Sequence, residues 1–332
     1  MPAADHAGWL TEHAIADTTL LPATALLELA LHAADHTAAD HVEELLLQQP
    51  LTLDATDPLA LQVMVGAPDD SGHRTLDVYT RPRSRPSAEW THHASATLAT
   101  QPSTGQPTAE TLAEEAWPPP GAERVDVTGF YERAAAGGYH YGPAYQGLKV
   151  LWRHGDDLLA EIALPDGEAT DALALHPALL DAALHPPIAT ADPTGETWLP
   201  FSWSGVTLHA TAATHARVRI TPRGDHEYRL TLTDPAGQLV LTADAITTRP
   251  IDAARLRKAE SGSDGLYRVR WTALPVAAGR EAPPADGWAA LGEVFADSLT
   301  HYPDLGALVA ALDDGAPVPP VVLVAGTPWP TR

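Results

Sequence analysis

Two segments rich in Leu and Ala, each opening on Pro-Ala, constrain the fold of this chain more than any other feature. The first runs from Pro22 to His36, and the second begins at His176-Pro177-Ala178. Proline suits the first turn of a helix, and apolar residues lie on nearly all sides of the first segment, so both segments predict buried helices. A helix that is apolar all round must be covered by other elements, so strands are expected to wrap each one.

Strand-like runs accompany both predicted helices and are separated by turns of Asp, Pro and Gly. In the first half they are Val42–Leu53, Leu59–Gly66, Thr75–Tyr79 and Trp90–Thr100. In the second half a short helix, Val127–Ala136, precedes the strands Gln146–Arg153, Leu158–Leu164, Trp198–Leu208, Ala216–Thr221, Tyr228–Thr233 and Leu239–Thr248. A buried helix with antiparallel strands, occurring twice, forms a weak internal repeat and predicts an α+β fold.

Changes in composition divide the chain further. The predicted parts are a first half at 1–100, a linker rich in Pro, Thr, Gly and Glu at 101–125, a second half at 126–250, a charged linker at 251–265, and the opening of an α/β unit at 266–332. The last part begins with the alternating run Leu266–Trp271. It continues with a predicted helix, Tyr302–Leu312, and an apolar run, Val318–Val324, which is typical of a strand buried on both faces.

Composition excludes several classes of function. The net charge of −23 disfavours nucleic acid or an anionic membrane as partner, and the absence of cysteine excludes disulfides and thiolate chemistry. No apolar run has the length of a membrane span, and no signal peptide is present, so a cytoplasmic protein is expected. Phosphate-binding loops, nucleophile elbows and zinc-protease motifs are absent too. His36 and His41, beside Asp35 and Asp40, could bind a metal but are more typical of a solvated surface, so no cofactor is expected.

Two residues stand out as a candidate base and acid. His13 precedes the first helix, and Asp181 lies among Leu and Ala on the second. An ionised carboxylate is costly in apolar surroundings, which favours the neutral acid and hence general acid catalysis. His185 follows four residues later and can hydrogen-bond Asp181 from the same helix face. The competing interpretations are a surface histidine and a solvent-facing aspartate. Tyr139 and Tyr141 are expected in a tight turn, where aromatic packing alone would explain them.

Together these motifs resemble the dehydratase domain of modular type I polyketide synthases. His13 and Pro22 occupy the ends of that family's His-x3-Gly-x4-Pro motif. Residues 138–145 resemble its Gly-Tyr-x-Tyr-Gly-Pro-x-Phe motif, with Tyr145 in place of Phe, and 175–185 resemble its Leu-His-Pro-Ala-Leu-Leu-Asp-x3-Gln/His motif. Two further landmarks are 199–203 and 90–95. The resemblance covers residues 9–250, and the tail resembles the start of a ketoreductase structural subdomain.

The resemblance implies a double hot-dog fold, in which each of two antiparallel sheets wraps a central helix. It implies dehydration of a 3-hydroxyacyl chain carried by an acyl carrier protein. In that reaction His13 removes the C2 proton, and Asp181, assisted by His185 and by Tyr139 or Tyr141, protonates the departing hydroxyl. Substrate contacts are implied at four further residues, namely Asp17, Pro22, Gly142 and Pro143. The expected partners are the acyl carrier protein, neighbouring ketoreductase and acyltransferase domains, and a second copy in a homodimer.

Two departures from the family pattern keep other functions open. Asp17 stands where the family has glycine, and its carboxylate would repel the enolate-like charge that develops on a thioester. The sequence also begins close to His13, so either the sequence starts late or the first half lacks its first strands. The alternatives are a catalytically silent scaffold, or a variant that isomerises double bonds or forms pyran rings. The retained Asp181 disfavours isomerisation, which needs no acid for a hydroxyl.

Overall fold

The computed structural model describes two compact units, Met1–Asp264 and Gly265–Arg332. The described residues are 8–54, 56–100, 116–168, 173–191, 196–251, 288–291 and 299–324. The elements of the larger unit are β1 (His13–Ile15), β2 (Thr18–Thr19), α1 (Ala23–His36), β3 (His41–Leu47), β4 (Leu59–Val65), β5 (Arg74–Pro82), β6 (Thr91–Ala99), β7 (Glu123–Val125), α2 (Phe130–Ala136), β8 (Tyr139–Tyr141), β9 (Leu148–His154), β10 (Asp157–Ala163), α3 (Pro177–Ala182), α4 (His185–Thr190), β11 (Thr197–Leu208), β12 (His215–Gly224), β13 (Glu227–Thr233) and β14 (Leu239–Ile251).

Eleven of these strands form one antiparallel sheet in the order β4-β5-β6-β3-β11-β14-β13-β12-β10-β9-β7. The strands of the first half meet those of the second at β3 and β11, where Leu45 lies opposite Trp203. Helix α1 packs on β3 and β6, while α3 packs on β10, so each half places a helix against its own strands. The predicted α+β double hot-dog is therefore confirmed, and the structure adds that a single hydrogen-bonded ladder joins its two sheets.

Helix α1 is bounded by Pro22 and Thr37, and its buried face carries two polar side chains. Pro22 is its N-cap residue with φ of −65°, and Thr37 follows its last turn. The buried residues are six Leu and Ala side chains on successive turns and two polar ones, Thr24 and Glu28. These polar side chains bind the backbone ahead of and within α3. The Thr24 hydroxyl donates to the Pro177 carbonyl at 3.0 Å, and the Glu28 carboxylate accepts the Leu175 N–H at 3.0 Å. The two central helices are thus joined directly.

The second buried segment differs from the single helix that its sequence predicts. His176 lies outside the helix and caps it, because its Nδ1 accepts the Ala178 N–H at 3.1 Å. Helix α3 ends at Ala182, and α4 restarts at His185 with Pro186 at its N-terminus. Proline has no N–H to give to the preceding turn, so the helix is interrupted there.

A small three-stranded sheet of order β2-β1-β8 connects the N-terminal residues to the second half. Its strand β8 corrects the prediction of a tight turn at Tyr139 and Tyr141, since both residues are in extended backbone paired with β1. The signal was missed because a three-residue strand shows too little alternation to be recognised. His13 lies opposite Tyr141 and Ile15 opposite Tyr139, so this pairing places His13 against the second half.

The smaller unit contains a three-stranded parallel sheet and one described helix, α5. Its elements are β15 (Ala289–Leu291), β16 (Thr300–Tyr302), α5 (Leu305–Asp313) and β17 (Val322–Val324), with sheet order β16-β15-β17. The helix predicted from Tyr302 begins at Leu305, because the Asp304 carboxylate caps it by accepting the Ala307 N–H at 2.9 Å. The run predicted as a strand buried on both faces is extended only at its end, and Val318 is 79% exposed.

Several predicted boundaries lie outside the described residues, namely most of the linker 101–125, the linker 251–265 and the run Leu266–Trp271. The end of the first linker is described and forms strand β7. Among the described residues, no helix has the length and apolar character needed to cross a membrane.

Candidate active site

The structure brings His13 and Asp181 together, although 168 positions separate them in sequence. Their closest side-chain atoms, His13 Nε2 and Asp181 Oδ1, lie 4.0 Å apart. Both residues are buried, at 5% and 7% exposure. His13 is held by β1 and Asp181 by α3, so each half of the double hot-dog supplies one member of the pair.

His13 is arranged as a neutral base. Its Nδ1 lies 3.2 Å from the Leu20 carbonyl, which can only accept, so Nδ1 carries the hydrogen and Nε2 has the free lone pair. Burial lowers the pKa of His13 below 6.5, while the charge of Asp181 and the Leu20 carbonyl act against that effect. The imidazole is therefore neutral at pH 7, with its lone pair on the atom nearest Asp181.

Asp181 contacts a second histidine through its other oxygen. His185 Nε2 lies 3.2 Å from Asp181 Oδ2, and His185 is fully buried. The two residues remain neighbours across the break between α3 and α4, because the chain continues with helical turns through Ala183 and Leu184. Oδ2 thus contacts His185, and Oδ1 is the oxygen that lies nearest His13.

The two predicted tyrosines occupy different positions. The Tyr141 ring lies 4.3 Å from that of His185 and 5.8 Å from that of His13, between centroids, and burial raises its pKa well above 10. Tyr141 is thus a neutral phenol beside both histidines. The Tyr139 hydroxyl instead accepts the Trp198 N–H at 2.6 Å and donates to the Trp198 carbonyl at 3.0 Å. Tyr139 therefore anchors β8 to the start of β11, and its hydroxyl is committed to the backbone.

The structure places the side chain of Asp17 on the surface. Its side chain is 90% exposed, and its Oδ1 lies 3.5 Å from His140 Nε2. Ala16 and Asp17 form the two-residue turn between β1 and β2, with φ of 48° and 68°, as in the type I′ turns of tight hairpins. Aspartate tolerates this backbone better than most residues, and its carboxylate extends into solvent. The expected repulsion of substrate charge is not supported, because water screens an exposed carboxylate.

The remaining predicted substrate contacts are a proline at the start of α1 and two residues of the turn after β8. Pro22 is buried at the start of α1, whereas Pro143 is exposed at the start of a short 3-10 turn. Gly142 must be glycine, because a Cβ there would lie 2.6 Å from the Cβ of Glu12. Its N–H donates to the Glu12 carbonyl at 2.7 Å, and the Glu12 carboxylate accepts the Ala144 N–H at 2.7 Å. Glu12 thereby fixes the turn that leads to Tyr145.

Two tyrosines of this site were missed by the sequence reasoning. Tyr131, on α2, places its hydroxyl 3.3 Å from His185 Nδ1, and no spacing in the sequence predicts that contact. Tyr145 is fully buried with its ring centroid 5.3 Å from that of His13, and it was noted only as a departure from a motif.

A surface cleft of about 530 Å³ lies beside the small sheet and is lined by residues such as Glu12, Tyr131, His140 and Tyr141. Neither His13 nor Asp181 lines it. Among the described residues, no group of three or more His, Cys, Asp or Glu is arranged to hold a metal ion.

Known proteins match this chain along most of its length. The family model described as the polyketide synthase dehydratase domain matches residues 3–81, and that described as the polyketide synthase dehydratase N-terminal domain matches 109–258. Polyketide synthase GfsE of Streptomyces halstedii is 43% identical over 326 residues, which are 95% of this chain and 8% of that protein. Pikromycin polyketide synthase component PikAII of Streptomyces venezuelae is 42% identical over 331 residues, 96% of this chain and 9% of that protein. The chain thus spans less than a tenth of these relatives.

Solved structures agree with this assignment. A structure described as giving insights into dehydratase substrate selection for the borrelidin and fluvirucin polyketide synthases is 40% identical, with a TM-score of 0.67 over 74% of this chain and 86% of that one. The bifunctional dehydratase-cyclase domain of ambruticin biosynthesis is 38% identical, with a TM-score of 0.69 over 77% of this chain and 90% of that one. From sequence and fold alike, this chain belongs to the dehydratase domain family of polyketide synthases.

Proposed function

We propose that this chain removes water from a 3-hydroxyacyl thioester, carried on an acyl carrier protein, to give a 2,3-enoyl thioester. The observation that carries the proposal is the buried pair of His13 Nε2 and Asp181 Oδ1, 4.0 Å apart. The proton on C2 and the hydroxyl on C3 belong to adjacent carbons, so in a syn arrangement one face of the substrate presents both. A base and an acid at this separation can contact both groups at about 3 Å.

The thioester carbonyl makes the C2 proton acidic, and His13 accepts this proton on Nε2. The electrons of the C2–H bond form the new double bond as the C3–O bond breaks. Asp181 gives the proton on Oδ1 to the departing oxygen, and water leaves. The imidazolium is stabilised by the Leu20 carbonyl, which accepts from Nδ1–H at 3.2 Å, and by the new carboxylate of Asp181. Return of the proton from His13 to Asp181 restores both groups.

The pKa of His13 suits this step. Burial lowers it, so the residue is unprotonated at neutral pH and ready to accept. The neutral phenol of Tyr141 lies beside both histidines and keeps the surroundings apolar. We expect no cofactor in this reaction. The expected partners remain the carrier protein, neighbouring ketoreductase and acyltransferase domains of the synthase, and a second copy of the chain.

A second candidate is ring formation after dehydration, by addition of a substrate hydroxyl to the new double bond. Similarity to the solved dehydratase-cyclase domain, with 38% identity and a TM-score of 0.69, supports ring formation as a second candidate activity. It requires the same acid and base, so it extends the first reaction. A silent scaffold is the third candidate, and the burial of two apposed ionisable groups argues against it, because such groups are concentrated at functional sites.

Mass spectrometry of a 3-hydroxyacyl thioester on its carrier protein tests the proposal. The chain should form a product lighter by one water, and absorbance of the conjugated enoyl thioester separates an open product from a ring. His13→Asn and Asp181→Asn should each reduce product formation by at least about 100-fold. His154→Asn, at an exposed histidine on β9, is the matched control and should keep full activity. Equal turnover in all variants would refute the proposal.

A further inference from the structure

Tyr131 contacts His185, which in turn contacts Asp181 of the acid–base pair. It is on α2, and its ring packs edge-on against that of His185 at 5.7 Å and that of Tyr141 at 6.1 Å between centroids. It contacts neither His13 nor Asp181 through any described hydrogen bond. Its hydrogen bond to the site is the one to His185.

The hydrogen bonds around Tyr131 have a definite direction. The Leu148 N–H donates to the Tyr131 hydroxyl oxygen at 2.8 Å, and a backbone N–H can only donate. The Tyr131 hydroxyl keeps its hydrogen, because burial raises its pKa well above the usual value of a phenol. That hydrogen is available to His185 Nδ1, 3.3 Å away.

An imidazole that accepts at Nδ1 carries its own hydrogen on Nε2. In His185 that atom lies 3.2 Å from Asp181 Oδ2, so His185 donates to Oδ2. An oxygen that accepts from a ring N–H is not the one that holds the acid proton. When Asp181 acts as the acid of the proposed dehydration, its proton is thereby directed to Oδ1, the oxygen 4.0 Å from His13 Nε2.

We propose that Tyr131 is a positioning residue, which fixes the tautomer of His185 and so directs the acid proton of Asp181 to Oδ1. Successive hydrogen bonds are donated from Leu148 to Tyr131, from Tyr131 to His185, and from His185 to Asp181. Once Asp181 has given up its proton, the same His185 N–H stabilises the carboxylate. The catalytic part of this inference rests on the proposed function, whereas the tautomer of His185 can be measured without substrate.

The experiment combines ¹⁵N NMR of the histidine side chains with kinetics in the full 332-residue chain. In the unchanged protein His185 should show the Nε2–H tautomer, and Tyr131→Phe should give a mixture of tautomers. The kcat for enoyl formation should fall about tenfold with little change in KM, because the acid proton is then shared between the two oxygens. Tyr228→Phe, at a half-buried tyrosine on β13, is the matched control and should change neither quantity.

A second background separates positioning from simple packing. Glutamine at residue 185 can donate its amide to Asp181 and has no tautomers, so Tyr131→Phe in His185→Gln should change kcat by less than about twofold. An unchanged His185 tautomer in Tyr131→Phe, or equal losses of kcat in both backgrounds, would overturn the inference. If Tyr131→Phe changes the tautomer of His185 but the unchanged protein shows no dehydratase activity, the proposed function is refuted. The assignment of the His185 tautomer would still stand.

Discussion

Replacing Tyr145 by Phe should stabilise the free protein, although most substitutions in a buried core destabilise it. Tyr145 is fully buried, and within the described part of the chain its hydroxyl has no hydrogen-bond partner. Burial raises the pKa of Tyr145, so the group is a neutral phenol that has lost its water without replacing it. Phenylalanine is also the residue found at this position in the family motif.

The size of the effect follows from what is removed and what is kept. A buried polar group without a partner costs about 1–3 kcal/mol, and the substitution removes that cost. The ring stays, including its contact with His13 at 5.3 Å between centroids. The void left by one oxygen costs a few tenths of a kcal/mol at about 24 cal/mol per Å³. The free energy of unfolding should therefore rise by about 1–2 kcal/mol, and each kcal/mol should raise Tm by roughly 2–4 °C for a unit of this size.

Urea unfolding of the two proteins, followed by tryptophan fluorescence, measures this difference. The midpoint should move to higher urea with an unchanged slope, because the native structure is the same. Tyr228→Phe is the control: its half-buried hydroxyl can reach water, so its removal should change stability by less than about 0.5 kcal/mol. A lower midpoint for Tyr145→Phe would refute the reasoning and show that the hydroxyl is bonded in solution.

Two further predictions concern His176 and Asp17. Burial lowers the pKa of His176 to about 4 from its usual 6.5. Between these two pH values the unfolded chain therefore binds more protons than the folded chain. The free energy of unfolding should fall by about 3 kcal/mol as the pH drops from 6.5 to 4. His176→Asn keeps a side-chain acceptor for the Ala178 N–H but does not titrate, so its urea midpoint should depend less steeply on pH; an unchanged dependence would count against the assignment. Asp17→Gly should raise the free energy of unfolding by about 0.5–1 kcal/mol, because glycine adopts φ of 68° without strain. It should leave turnover within about twofold, since the carboxylate is exposed and screened, and a large change in kcat would show that this side chain does reach the substrate.

The elements that sequence predicts well here are those with strong local signals. Pro22 fixes the start of α1, and alternation over seven or more residues locates strands such as β5 and β6 to within a few positions. The pairing of β1 with β8 could not be predicted, because each strand has three residues and they lie more than a hundred positions apart. The strands β3 and β11 are long enough to be recognised, but their pairing could not be predicted, because no local pattern indicates which strand edges meet.

The residues of the candidate site also differ in how well the sequence predicts them. His13, Asp181 and His185 are recognisable because their motifs are contiguous in sequence. Tyr131 is not, because its importance depends on the direction of hydrogen bonds to Leu148 and His185, which only the folded chain brings together. The exposure of Asp17 could not be predicted either, because a sequence motif does not tell which side of a two-residue turn a carboxylate will occupy.

The pairing of β1 with β8 also sets an order of events when the chain is made. His13 leaves the ribosome 126 residues ahead of Tyr139, which is about 6 to 25 s at 5–20 residues per second. During that interval Tyr139–Tyr141 is the missing neighbour of β1, so one edge of the first hairpin is open to other chains. This edge of the small sheet is thus open before Asp181 has been made, and pairing with β8 closes it.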